Sequence, residues 1–367
     1  MAVYTTVDNP ELWFQVKLYT GNNTDGLAIT FDGDENMSPD LIWIKSRSHA
    51  HSHCLADTVR GISNGGTKIL VPNSYQAEET NDSAKGIKTA DSNGFTLGAE
   101  TNTSGSINGS GKTYVAWCWK AGTTGSGTTT GSGTGQAYTY SVSTTAGISI
   151  MAYTGNGTAN HTIPHHLGAT PEMFMVKIRT GDNNNWGVYH HKSNANPEQY
   201  ALYLDGNSSA TDDAFLNDVA PTSSVINLSG GNYGNVNSNT YVAYCFKGIQ
   251  GFSKMFTFKG NGSTNGPYVH LGFSPELIIW KNATTSNLQS WWMVDAKRDT
   301  YNVADENLRP SGDGAASQSY DMLDFTSNGF KVRWDDDAIN DSGETFIGMA
   351  FAKAPCVNSS GVPANAR

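Results

Sequence analysis

The chain has 367 residues, 15% of them charged, with 23 basic against 33 acidic side chains and a net charge of −10. No Lys/Arg cluster or basic stripe offsets that acidity, so nucleic acid is not an expected partner. No apolar run reaches membrane-spanning length, and membrane insertion is not expected. Forty glycines, with Asn, Ser and Thr clusters between short apolar runs and no long helical periodicity, predict an all-β protein with many turns.

In chain order, residues 1–13 read as an N-terminal arm. The opening MAVYTTVDNP has no basic region and no apolar core, so it does not read as a signal peptide, and synthesis in a cytosol is expected. A first unit, 14–122, carries a turn at Thr20-Gly21-Asn22, an acid-led apolar run PDLIWIK from Pro39 to Lys45, an SNGF turn from Ser92 to Phe95, and a closing run YVAWCWKA from Tyr114 to Ala121. The stretch GTTGSGTTTGSGTG, from Gly122 to Gly135, predicts a flexible linker over 123–143.

The same markers then return. A second unit, 144–250, holds Thr154-Gly155-Asn156, PEMFMVK from Pro171 to Lys177 and YVAYCFKG from Tyr241 to Gly248. A third, 251–356, holds Lys259-Gly260-Asn261, PELIIWK from Pro275 to Lys281, a second SNGF from Ser327 to Phe330, and FIGMAFAK from Phe346 to Lys353. Markers in one order at nearly one spacing identify three tandem domains, and residues 357–367 are left as a polar tail. The acid-led and closing runs are apolar on both faces, as strands in the middle of a covered sheet are. Two stacked sheets per unit, a β-sandwich or jelly roll, would bury them. With almost no linker between them, units two and three are expected to pack as a fixed pair, with unit one tethered.

Cys118 and Cys245 occupy equivalent closing-strand positions where unit three has Ala350, which marks a small core site and predicts free thiols for all four cysteines. His49, His51 and His53 would share one face of an extended segment and could hold a transition metal, or meet the same segments of two other chains around one ion. The acidic loops at Asp32–Asn36 and Asp335–Asp341 are rich in oxygen ligands suited to Ca²⁺ but fit no EF-hand pattern. Asp57 with Arg60 and Asp295 with Arg298 recur at one spacing, as a structural charge pair or part of a sugar site. Trp43, Trp117 and Trp280 read as core. Trp186 with His190 and His191, and Trp291 and Trp292 with Asp295 and Arg298, lie beside loops and are the candidate glycan-binding residues, since aromatic faces pack on sugar rings. No Walker loop, HExxH or CxxC is present, and the chain is read as a non-enzyme needing no cofactor.

The opening MAVYTTVDNPELWFQVKLYTGN, PDLIWIKSR, LADTVRG, SNGF, YVAWCWKAG and the ending NSSGVPANAR together resemble a family of virion structural proteins of tailed phages of aquatic bacteria, often labelled tail-fibre-like. The resemblance covers nearly the whole chain. It implies lectin-type jelly rolls of the concanavalin A or SPRY kind and a virion-surface location, and it supplies no catalytic residue. The resulting expectation is a non-enzymatic tail fibre or appendage protein, made in the host cytoplasm. It would be a homo-oligomer, with trimer the first choice, in contact with other virion proteins and a host-surface receptor or glycan. A head decoration, fibre or connector protein is the alternative, and a glycan-degrading enzyme the more distant one.

Overall fold

The computed structural model describes residues 4–63, 66–80, 85–100, 106–181, 183–231, 234–284 and 289–363. The first three residues of the arm and the last four of the tail lie outside the described residues. Among the described residues strands dominate, and helix is confined to three short 3₁₀ turns and one helical turn at Asp337–Asn340.

The repeat is an architectural one. Each unit has a large antiparallel sheet in which the closing strand lies between an opening strand and the acid-led strand, and the acid-led strand pairs in turn with a flanking strand. In unit one the order is Phe14–Thr20, Thr113–Trp119, Leu41–Ser46, Cys54–Asp57. The equivalent strands are Ile148–Thr154, Thr240–Phe246, Met173–Ile178 and Gly187–His190 in unit two. In unit three they are Ser253–Lys259, Thr345–Pro355, Phe273–Asn282 and Trp292–Asp295. The register repeats as well. Trp119 lies opposite Phe14 and Leu41, Phe246 opposite Ile148 and Met173, and Phe351 opposite Ser253 and Leu277.

A second, three-stranded sheet covers one face of each large sheet and makes the sandwich. In units one and three it contains the hairpin turned by SNGF. Unit two lacks that hairpin, and Thr130–Gly131 pairs on the opposite side of His161–Pro164 instead. The Thr/Lys-Gly-Asn markers are explained by one contact. The backbone N–H of Asn22, Asn156 and Asn261 donates to the side-chain oxygen of Asn108, Asn235 and Asn340, at 2.9, 2.8 and 2.9 Å. Those three asparagines are fully buried. The preceding Gly21, Gly155 and Gly260 lie so close to the opposing backbone that a Cβ would collide with a carbonyl. Asn340, in the acidic loop of unit three, is thus committed to holding a turn.

Alternation along the closing strands splits their side chains between two cores. Tyr114, Ala116 and Cys118 fill the space between the two sheets of unit one, as Tyr241, Ala243 and Cys245 do in unit two. Val115, Trp117, Trp119, Val242, Tyr244 and Phe246 point the other way, into one cluster with Phe351 and the residues of unit three. The equivalent aromatics Trp119, Phe246 and Phe351 converge there: Phe351 is 5.5 Å from Trp119 and 5.9 Å from Phe246 between ring centroids. The three large sheets therefore face one another around a shared centre. Unit one is built into this centre and is not tethered beside a fixed pair.

The Gly/Ser/Thr segment is also structured, against the linker expectation. Thr123–Thr128 is a strand that pairs with Ala137–Ser143, which pairs in turn with Ile148–Thr154, extending the sheet of unit two to eight strands. The glycines make room for rings. A Cβ on Gly125 would lie 2.5 Å from the hydroxyl of Tyr140, and one on Gly127 2.7 Å from that of Tyr138.

Candidate functional site

The polar residues that draw attention in the sequence gather at the three junctions between units. One position, immediately before each flanking strand, illustrates the construction. It is His53 in unit one, Trp186 in unit two and Trp291 in unit three. Each reaches a carbonyl on the equivalent segment of a neighbouring unit: His53 Nε2 to Arg309 O at 3.0 Å, Trp186 Nε1 to Val71 O at 3.0 Å, and Trp291 Nε1 to Tyr203 O at 2.8 Å. Unit one thus leans on unit three, three on two, and two on one. That is a closed head-to-tail ring made by a single chain.

A backbone bond repeats the pattern. The N–H of Ala316, Glu78 and Ala210 donates to the carbonyl of Arg47, Arg179 and Ala283 at 2.8, 3.0 and 2.9 Å. Two of these junctions add a bidentate ion pair, Arg47 with Glu306 at 2.8 and 3.0 Å and Arg179 with Glu78 at 2.9 and 3.1 Å. The third has Ala283 and makes none.

The two Asp-Arg pairs serve the same ring. Arg60 meets Asp57 at 2.5 Å and Arg298 meets Asp295 at 2.6 Å, all four side chains fully buried. Each aspartate also accepts a bond from the closing strand of another unit, Tyr244 Oη to Asp57 at 2.6 Å and Trp117 Nε1 to Asp295 at 3.0 Å. The structure accounts for the departure of unit two. The closing strand of unit three presents Met349, which has no donor, where the others present Trp117 and Tyr244. A carboxylate facing it would be buried without that partner, which is costly. His190 stands at that position and meets Gly348 O at 3.2 Å. Burial drives both His53 and His190 down to about 3, so both imidazoles are neutral at pH 7. Trp43 Nε1 donates to His53 Nδ1 at 2.8 Å, which leaves the His53 proton on Nε2 for Arg309 O.

The lysine ending each acid-led run is a buried residue that sequence reasoning passed over, and in units one and two it bonds across a junction. Lys45, Lys177 and Lys281 are fully buried. Their ammonium groups donate to backbone carbonyls: Lys45 to Ser46 and, at 3.1 Å, to Asp313 of unit three; Lys177 to Asn184 and, at 2.7 Å, to Tyr75 of unit one; Lys281 to Gln289. Burial lowers Lys45 and Lys177 to about 8 and Lys281 to about 7. The available signal was a charged residue at the same place in three otherwise apolar strands.

The candidate glycan-binding residues are therefore not open to a surface sugar. Trp186, His190, Trp291 and Asp295 are fully buried, and Trp292 and Arg298 are nearly so. His191 alone is half-buried, with Nε2 3.3 Å from Met255 O in a groove between units two and three. Nor do the three histidines of HAHSH share a metal site. The segment bends after Ser46, so His53 turns inward while the His49 and His51 rings stack outside at 6.1 Å. Among the described residues no group of three His, Cys, Asp or Glu is placed to hold a metal. An exposed cluster that the sequence did not single out lies in unit three. Tyr320, 37% exposed, stacks on Trp334 at 4.0 Å, and Arg309 sits 4.3 Å over the Trp292 ring.

The junctions repeat within the one chain, and the family of that chain can be stated. The chain belongs to the family described as a domain of unknown function, DUF7483, whose model matches residues 9–355. The match spans all three units. No curated protein and no solved structure matches the chain.

Proposed function

We propose that this protein is a non-enzymatic virion-surface protein of the tail-appendage type, a one-chain ring that displays its outer loops and outer sheets to a host receptor or glycan. The observation that supports this reading is that most of the buried ionisable groups described above bond from one unit to the next. They are placed to hold three sandwiches as one body and not to meet a substrate. A lectin-like display function asks for that rigidity, because contacts on separate units then add without the entropy of bringing them together. The virion location follows from the sequence resemblance.

On this reading the sugar-facing surface moves from the buried tryptophans to exposed aromatics such as Tyr320 on Trp334. The test is adsorption. Purified protein should compete with virions for host cells, and Tyr320→Ala should weaken that competition with the melting temperature unchanged. Equal competition by wild type and variant would remove Tyr320 from the site. Absence of competition altogether would favour the second reading, a head decoration or connector protein, which the burial of the candidate sugar residues also suits. Labelled antibody imaged on intact virions separates tail from head directly.

A further inference from the structure

Three equivalent positions change character together in unit three. The first residue of the flanking strand is Cys54 in unit one, Gly187 in unit two and Trp292 in unit three. The residue whose carbonyl the next unit takes is Val71, Tyr203 and Arg309. Two residues past the equivalent outer strands Gly94–Leu97, Val225–Leu228 and Gly329–Val332 stand Ala99, Gly230 and Trp334. Units one and two close their junctions with small residues where unit three has indoles, so the ring itself does not require them.

The three changes meet in space. Arg309 lies 4.3 Å over the Trp292 ring, Trp292 stands edge-on to Trp334 at 6.3 Å, and Tyr320 stacks on Trp334 at 4.0 Å. Trp292 is buried and Trp334 half-buried, while Arg309 and Tyr320 at the two ends of the row are exposed. Arg47, Arg60, Arg179, Arg298 and Arg333 each pair with a carboxylate. Arg309 pairs with none among the described residues, so its five N–H donors are open. It also lines a surface cavity of about 300 Å³ with Asn307 and Ser317. Asp313 lines that cavity too, close enough to act on the buried Lys45 ammonium.

We propose that this row binds an acidic glycan, with Tyr320 packed against a sugar ring and Arg309 paired with a uronate carboxylate. The proposal rests on the glycan reading above and names the class of glycan. A guanidinium already seated on an indole loses little freedom on binding, and its fork matches a carboxylate with two parallel bonds. With one open guanidinium on a chain of net charge −10, one carboxylate per sugar suits the site better than a densely sulfated chain.

The probes are trisaccharides of galacturonate, mannuronate and glucuronate, their neutral methyl esters, and a sulfated trisaccharide. Each is titrated into the full chain by calorimetry. At least one uronate should bind saturably, and its ester at least about tenfold more weakly, the loss expected for a charge-assisted pair. Arg309→Met should weaken the acid by the same factor and leave the ester unchanged, and Arg309→Lys should restore only part of the loss. The ratio of acid to ester is a readout that a merely destabilised variant would not move. Tyr320→Ala should weaken acid and ester alike. Equal binding of acid and ester, or an acid affinity indifferent to Arg309→Met, overturns the proposal and leaves a neutral-sugar contact under the glycan reading. Tighter binding of the sulfated probe overturns the choice of carboxylate. No binding of any probe overturns the site; the glycan reading falls with it only if the protein also fails to compete with virions for host cells.

Discussion

Single buried residues carry pH signatures of one sign in two separate windows. His53 and His190 have folded values near 3, against about 6.5 for an unperturbed imidazole. The unfolded chain binds more protons between those values, so their contribution is complete above pH 6.5 and is lost as pH falls toward 3. The urea midpoint should drop between pH 7 and pH 4, and His190→Gln should flatten part of that drop. The buried lysines act in the same direction at higher pH. Lys281 is near 7 when folded and about 10.4 when unfolded, so its penalty is relieved as pH rises through that window. Lys281→Met should reduce the gain in midpoint between pH 7 and pH 9.5; a gain unaltered by the substitution would count against burial as its origin. Cys118 and Cys245 face the sandwich cores, with Ala350 in their place in unit three. Replacing either by Ala should cost at most about 1–2 kcal/mol. All four cysteines are unpaired, and thiol titration of unfolded, unreduced protein should count every one as free.

Among the elements, the segment 123–143 departs furthest from its composition. Gly/Ser/Thr tracts usually mark linkers, yet here the glycines alternate under tyrosine rings on a paired strand. The physical reason lies in the neighbour: a ring laid flat across a strand excludes any Cβ beneath it, so the position asks for glycine without asking for flexibility. A broad protease should leave 123–143 uncut in the native protein. Gly125→Val should push Tyr140 away and open this segment to cleavage, and prompt cleavage of the wild-type chain there would contradict its pairing. The acid-led strands behave as their patterns indicate, buried along their length. The flanking strands are buried along their length, and each ends on a polar residue, Asp57, His190 or Asp295, that bonds another unit.

At the level of the molecule, the ring predicts cooperative behaviour. Each unit buries one face of its large sheet against the other two, and alone it would expose Trp119, Phe246 or Phe351 with their neighbours. Calorimetry should record one transition for the whole chain, and an excised unit should aggregate; three separate transitions would refute a shared centre. Asp57→Ala leaves Arg60 buried without its closest carboxylate and Tyr244 without an acceptor. A loss of about 3–5 kcal/mol is expected, in the range for breaking a buried pair by removing one partner. Met349→Tyr is the complementary probe of the unit-two exception: with His190→Asp it should recover stability relative to either single change, as coupled neighbours do in a double-mutant cycle.

The sequence by itself determined the all-β class, the three units, their central strands and the core role of Trp43, Trp117 and Trp280, because period, apolar runs and repeated turns are local properties of the chain. It also contained the equivalence of Cys118, Cys245 and Ala350, which is a statement about volume at one aligned position. The tertiary structure decided where the units face one another, and with it the roles of His53, Trp186, Trp291 and the three lysines. A polar or aromatic residue beside a loop has the same sequence signature whether it meets solvent, a ligand or the next domain. Only the arrangement of the three sheets supplies the partner carbonyl, and with it the reason that one unit replaces an Asp-Arg pair by histidine: the facing side chain, Met349, lies 159 positions along the chain from His190 and offers no donor.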